Sequence, residues 1–592
     1  VLRVGPRPDQ LVERARRSWT GSGWGVVGRA RSIALGYDAV GDATGLYDYA
    51  LEVSALYTDG STASWVMRGQ QAVVNRRHTS FGSGWWLAGL EQIVRTGNGS
   101  WLWVGGDGST RVYEPLADRA NLWVARTPDR GQDTLWGMAN YPGEAYRRNV
   151  PGGATVHFDP QGRHIATVNR LDHHTHFEYF GARLGRVYMP TAAGYSAFKP
   201  AYLFEYDGTA GGLRRVNAPD VNGTLSRAVQ VQPHAASPAY VGAIVDPDGT
   251  RVTFGYDQAG HIASRWDRRD ALVSYEFGPE GKLREALHHM GGYQAYLYNG
   301  QKEVRSRFTP AEVQGLGAVP ADPAQVHTLL DGPRTDVNDH TRFWLDRFGA
   351  PWKIRNALEQ ETTVTRGDLR FPALATETNT PGADGTRVVT RAWYNARGLP
   401  DSTTVFNPLG DGRNATTRQA YGDSRWPDFV TRTVSPMGEV ATRGYDAVGN
   451  LAWQLVGPDT LQQVRYGYYA LNHATSPGLV QSVTLPVVGG QSATESFTYD
   501  SRGNLYTSSS PLGFTTTYAR DVLGRETEVR SPIDASRTQV QRTFYNLSGA
   551  VDSTTTVGPP MNGADSLKVV VHNTYDREGR TLRVSRRSVP DP

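Results

Sequence analysis

One short spelling constrains this chain more than any other. YDAVGNL, Tyr445 to Leu451, recurs as YDSRGNL from Tyr499 to Leu505. Related forms are FDPQGRHI from Phe158, YDQAGHI from Tyr256, YNARGLP from Tyr394, YNLSGAV from Tyr545 and YDREGRTL from Tyr575, with a weaker copy, LDRFGAP, from Leu345. The unit has a physical reading. The aromatic ends a strand, and the Asp or Asn after it can bond the backbone two residues on and start a turn. Gly then supplies a positive φ without steric cost. An Asn, Arg or His and an aliphatic residue begin the returning strand. This predicts that Tyr445 and Leu451 face each other across a hairpin, where cross-strand pairs stabilise a sheet.

A second kind of turn lies between these units: DPDG at Asp246–Gly249, SPMG at Ser435–Gly438 and SPLG at Ser510–Gly513. Pro second and Gly fourth suit a type I turn. Gly249, Gly260, Asp270 and Gly281 stand 11, 10 and 11 residues apart, and Gly503, Gly513 and Gly524 stand 10 and 11 apart. Each interval leaves about six residues, one ordinary strand. Successive turns therefore fall on opposite edges of one growing antiparallel sheet. Such a sheet twists and, when long, curls or closes.

Units of this spelling and register resemble the YD repeats of Rhs proteins, insecticidal toxin-complex shell components and teneurins. The segment SFGSGWWLAGLEQIV, Ser80 to Val94, resembles the opening of Rhs regions. The resemblance covers Ser80 to Arg587 and is densest at 245–285 and 435–585. It implies an all-β fold in which a long antiparallel repeat sheet curls into a spiral hollow shell that can enclose a C-terminal toxin or effector. Periodicity alone gives only the repetitive sheet.

Around this body the sequence divides into an N-terminal linker or unclear segment at 1–45, a short β module at 46–79, shell regions at 80–308 and 341–592, and a partly helical insertion at 309–340. The helical expectation rests on Pro near the first turn of Pro310–Gly315 and of Asp322–Asp331.

Composition narrows the partners. The net charge is +4 over 62 basic and 58 acidic residues, so the basic balance does not announce a nucleic-acid partner. Cysteine is absent, which excludes disulfides, thiolate metal sites and Cys nucleophiles, and favours a bacterial source. No apolar run reaches the roughly 18–20 residues of a membrane-spanning helix. The chain opens at Val1 without a visible signal peptide and reads as an internal fragment.

Few constellations compete with structural roles. His173, His174, His176 and Glu178 lie together, and on a strand His174, His176 and Glu178 share a face and could ligate zinc, but the spacing is loose and a polar strand face explains it. His288 and His289 point to opposite faces and read as structural. Gly23, Gly25 and Gly28 fit a dinucleotide-loop spelling without its strand and helix context. Asp246 and Asp248, and Asp336, Asn338 and Asp339, lack the twelve-residue calcium loop and read as turn formers. No nucleophile elbow appears. The tyrosines could stack sugars, but their turn register favours packing, with the hydroxyl kept wet. No residue is assigned a catalytic, cofactor or metal role, and no cofactor is expected.

Three functions follow. The first is a structural shell of a large secreted or surface bacterial protein, with an enclosed C-terminal effector as partner. The second is a cell-surface module binding a glycan or receptor. The third is a repeat-scaffold glycosidase or lyase, which needs two carboxylates about 5–10 Å apart in a groove. The shell reading implies no enzyme activity.

Overall fold

In the computed structural model the described residues are all except 20–34, 127–132, 151–152, 170–171, 193–199, 209–210, 279–280, 282, 289–292, 299–327, 332–338, 347–349, 383–384, 408–412, 472, 559–566, 577–578 and 591–592. Among them there is no α-helix, and one 3-10 turn, Thr460–Gln462, interrupts the strands.

The N-terminal module is a four-stranded sheet of β1 (Leu2–Gly5), β2 (Val12–Ala15), β3 (Gly45–Leu56) and β4 (Thr62–Val73), in the order β2-β1-β3-β4. The hairpin of β3 and β4 keeps register over its whole length, from Gly45↔Val73 to Leu56↔Thr62. The linker reading of 1–45 is therefore corrected at its start. β1 pairs with β3, so residues 2–15 belong to the same sheet as the 46–79 module.

The remaining strands form one antiparallel meander, each paired with its neighbours in sequence. It begins with β5 (Gln92–Arg95), β6 (Trp101–Val104), β7 (Thr110–Pro115), β8 (Leu122–Ala125), β9 (Thr134–Gly137), β10 (Tyr146–Asn149), β11 (Thr155–Phe158), β12 (His164–Val168) and β13 (His173–Phe180), and it ends at Thr581–Pro590. The alternating turns of the sequence explain this order, since each reverses the chain after one strand.

The meander closes early and then opens. The Ile93 N–H donates to the Gly162 carbonyl at 2.9 Å, and Gln92 bridges Arg163. Strands β5 to β12 thus come round into an eight-stranded ring. Their inward residues Ile93, Trp101, Tyr113, Trp123, Leu135, Val156 and Phe158 fill it as one buried cluster. Eight strands leave an interior just wide enough for side chains.

Just beyond β13, Phe81 and Leu90 of the 77–90 loop pack with Phe177, Leu184 and Phe204. Farther on, among the described residues, the sheet winds without a buried cluster at its centre, and its coils meet edge to edge. The Val221 N–H, in the turn after strand Leu213–Pro219, donates to the Ser501 carbonyl at 2.7 Å, in the turn after Thr494–Tyr499. Those turns are twenty-one strands apart. The Asp248 turn meets Arg525 at 3.7 Å across the same strand interval. Twenty-one strands at about 4.8 Å each give a coil about 100 Å round and about 30 Å across. Among the described residues no pairing joins Thr581–Pro590 to β5, so the sheet is an open spiral rather than a closed barrel.

The helix expected over 309–340 is not found where that stretch is described. Thr328–Asp331 is a strand, paired with Tyr293–Tyr298 and Thr341–Leu345. Its Leu329 and Leu330 have cross-strand partners on both sides, which outweighs the local helix-start signals; the rest of the stretch to 338 lies outside the described residues.

Candidate functional site

The YD turn is built as its sequence suggests. Tyr445 pairs with Leu451 at a bulge in the ladder. Asp446 Oδ1 accepts from the Val448 and Asn450 N–H groups at 2.9 Å, and its Oδ2 accepts from Asn450 Nδ2 at 3.1 Å. Asp500 repeats this with Asn504, and Asp521 with Arg525. The turn residues Gly249, Gly260, Asp270 and Gly281 all have positive φ, the one non-glycine being an Asp, which tolerates that region. These carboxylates are saturated by their own turns, and the bonds to Asn504 and its neighbours hold Asp500 below the usual carboxylate range against its burial.

The tyrosine has a job beyond packing. Tyr468 Oη donates to the Leu451 carbonyl at 2.9 Å, Tyr499 to Val480 at 2.8 Å, Tyr545 to Glu526 at 2.8 Å and Tyr575 to Val551 at 2.6 Å. Each accepting residue is the one paired with the preceding hairpin-end side chain, Tyr445, Tyr468, Arg520 and Tyr545 in turn. Each also lies two residues outside the ladder to the following strand, which for Leu451 starts at Trp453. That carbonyl has no ladder donor, and the next repeat's hydroxyl supplies one. The pattern extends to Tyr179 on His164 and Tyr206 on Leu184. The hydroxyl expected to stay wet is thus a staple from repeat to repeat.

Sequence reasoning passed over a second repeated element. GDLRFP, Gly367–Pro372, and GDSRWP, Gly422–Pro427, are two copies of one loop 55 residues apart, a spelling visible in the sequence. In each, Thr376 or Thr431 Oγ1 accepts from the Gly N–H at 2.8 Å. Arg370 and Arg425 pair with Asp368 and Asp423, then reach the carbonyls of Tyr394 and Tyr445 at 3.1 and 3.0 Å. The loop grips the hairpin end that follows it.

The densest charged cluster lies inside the eight-stranded ring. Arg148 Nη1 donates to both Glu91 oxygens at 3.0 and 2.9 Å, and Arg148 Nη2 donates to Asp133 Oδ2 at 2.8 Å. Arg111 also donates to Asp133, Trp103 Nε1 donates to Glu91 at 2.6 Å, and Arg148 lies 4.3 Å from the Trp103 ring centre. Tyr113 Oη donates to Asp133. Burial opposes the charge on Arg148, but Asp133, Tyr113 and Glu91 outweigh it and hold its pKa above the ordinary value. Burial, then Asp133, pushes the Tyr113 phenol up. Two cations face two anions, an arrangement that orders the ring.

The expected histidine face is real, but it does not assemble as a metal site. His174 meets Asp172 at 2.9 Å, while Glu178 accepts from Arg186 Nη1 and Tyr188 Oη at 3.0 Å each. His157, from β11, joins His174 and His176 around the Tyr141 ring. Burial pushes the His157 imidazole down against the pull of Glu144, its partner at 2.7 Å. No group of three potential ligands is placed to hold a metal among the described residues. Asp246 and Asp248 serve their turn, bonding Thr250, with Asp246 also paired to Arg268. Gly23, Gly25, Gly28, His289, Asp336 and Asn338 lie outside the described residues.

A cavity of about 560 Å3 opens where the loop 77–90 crosses the ends of the strands after β12. Arg77, Arg163 and Arg183 line it, with Phe81, Trp86 and Leu184 as apolar wall. Glu91 reaches its edge but is committed to Arg148.

Fold and sites together define a class: an antiparallel strand-repeat protein whose wall winds into an open spiral after a packed ring. Residues 499–532 match the RHS Repeat family model, so this segment is an RHS repeat and the YD/Rhs resemblance holds there. No curated protein matches the sequence. Among solved structures, the chain is similar to TcdB2-TccC3 without its hypervariable C-terminal region, at 13% identity and TM-score 0.47, covering 77% of this chain and 26% of that one. It is similar to TcdB2-TccC3-TEV at 12% identity and TM-score 0.45, covering 80% and 27%. A Photorhabdus luminescens Tc holotoxin pore carrying a TccC3 D651A mutation matches at 12% identity and TM-score 0.39, covering 82% and 31%. The chain therefore spans about a quarter to a third of the chains it matches. No helix of the described residues is long and apolar enough to cross a membrane.

Proposed function

We propose that this chain is a structural wall, the RHS-repeat shell portion of a large secreted or surface bacterial protein, which encloses or presents a C-terminal effector. The observation that carries this reading is the contact between turns twenty-one strands apart. A wall that returns on itself at that interval is about 30 Å across from backbone to backbone and leaves roughly 20 Å between its inward side chains, enough for an extended or partly folded polypeptide. The saturation of the YD carboxylates supports a non-enzymatic role, because a general acid needs a raised and free carboxyl. Asp368 and Glu377, which line one surface cavity together, are each tied to an arginine, and the Arg370 pairing holds Asp368 below the usual carboxylate range.

The test is to express the full reading frame that contains this chain and digest it with a broad-specificity protease. A downstream domain that resists digestion in the intact protein, and is degraded once the wall is disrupted, supports enclosure. A downstream domain cleaved as fast as an unfolded chain, or its absence from the reading frame, overturns it.

A further inference from the structure

We propose that the face of strands Glu377–Pro381, Arg387–Tyr394, Pro400–Phe406, Ala415–Ala420 and Arg432–Val434 binds an acidic saccharide, with Trp393 stacking on a sugar ring and Arg418 and Arg432 taking its carboxylate. This site is independent of whether the wall encloses cargo.

The two copies of the GD-x-R-aromatic-Pro loop make the case by their difference. Both grip the hairpin end that follows with the same Arg-to-carbonyl bonds. In the second copy the residue before the hairpin Tyr is Gly444, and the Trp453 indole lies flat against it, so close that a β-carbon there would stand 2.2 Å from Trp453 Nε1. In the first copy the equivalent residue is Trp393, opposite the small Ser402, and its indole is 46% exposed. Among the described residues it has no ring, cation or hydrogen-bond partner. The same cross-strand pair carries an indole in both copies, but Trp453 is half-buried over Gly444 whereas Trp393 stands over Ser402 and stays exposed.

The surroundings fit a carboxylate-bearing sugar. Trp393 lines a cavity of about 500 Å3 with Glu377, Arg391 and the first loop. A second cavity, of about 210 Å3, begins at Ser402, directly opposite the indole, and is lined by Arg418 and Arg432. Cross-strand pairing puts Trp393, Ser402 and Arg418 in one row, and Arg432, opposite Ala420, on the same face. Both arginines are exposed, and among the described residues neither has a carboxylate within ion-pair distance. Asp401, at the ladder irregularity beside Trp393, is the one acid lining this cavity, which leaves it net positive. An indole face offers apolar contact to the C–H side of a pyranose, and guanidinium is the preferred planar partner of carboxylate.

Sialates and hexuronates share this chemistry. The test is calorimetric titration of the whole chain with 3′-sialyllactose, with tetragalacturonate and with neutral lactose. Binding of either acidic probe, or both, with lactose at least about tenfold weaker, is the expected result, and the pattern identifies the source. Trp393→Ala and Arg418→Gln should each weaken binding at least about tenfold, while Trp352→Ala, another exposed indole outside this face, leaves it unchanged. Circular dichroism on each variant separates lost binding from lost fold. Absence of binding by both acidic probes, equal binding of lactose, or full affinity in folded Trp393→Ala overturns the proposal.

Discussion

The ring β5–β12 and the wall at 435–585 use the same antiparallel pairing and differ in curvature. Eight strands close around about 12 Å, and the interior fills, leaving Tyr113, Leu135 and Phe158 with no exposure. Twenty-one strands coil around about 30 Å, and no side chain reaches across. Residues of the wall are accordingly half-buried on both faces, as in 451–455 and Val551–Val557. The ring is held by two-sided burial and a desolvated ion network. The wall is held by strand pairing, saturated turns and the tyrosine staples. Circumference alone thus moves the stabilising burden from the core to the backbone.

That contrast can be broken at several points. Arg148→Ala carries the largest expected effect, because it leaves Asp133 and Glu91 without their shared cation in a buried site. A loss of about 3–5 kcal/mol is expected, confined to the ring and read by hydrogen exchange at β5–β12 against the wall strands. Equal loss in both regions would show that they unfold as one unit.

Acid should separate them next. His164 is buried, its Nδ1 accepts from the Glu91 N–H, and burial pushes its pKa down to about 3. The unfolded chain takes up that proton near pH 6.5, the folded one only near 3, so the ring loses stability as pH falls through this window. The loss is roughly 3 kcal/mol by pH 4. The His164→Gln variant should show a correspondingly flatter profile, measured by urea unfolding at pH 7 and pH 4.

In the wall the changes are smaller. Tyr499→Phe removes the donor to the Val480 carbonyl and should cost about 1–2 kcal/mol, mostly as faster exchange in the strands either side. The same change at Tyr506, an exposed wall tyrosine, defines the background. Gly513→Ala meets no neighbour but keeps a φ of 82°, and backbone strain alone should cost about 1 kcal/mol. Urea midpoints of the two variants rank the staple against the turn.

Much of the wall was legible in the sequence. The turn register gave strand lengths, the antiparallel order and the Tyr445–Leu451 pairing, because each is fixed by residues within one hairpin. The role of Asp446 was legible for the same reason. The tyrosine staple was half legible: its position was plain, but its acceptor belongs to the preceding repeat. The strand at Thr328–Asp331 was misread as helical, since its partners Tyr293–Tyr298 and Thr341–Leu345 are separated from it by intervening chain. The paired loops at Gly367 and Gly422 were present in plain spelling, but their function as grips appears only once Arg370 and Arg425 are seen to reach the next hairpin.

The sequence by itself determined a repeating antiparallel sheet with saturated turns, because those interactions are local and recur with the register. Only the tertiary structure decided where the sheet closes. The Ile93–Gly162 bond, the Arg148 network and the meeting of turns twenty-one strands apart depend on accumulated twist over many strands. No single repeat carries that sum, which is why one sheet yields both a solid ring and a hollow coil.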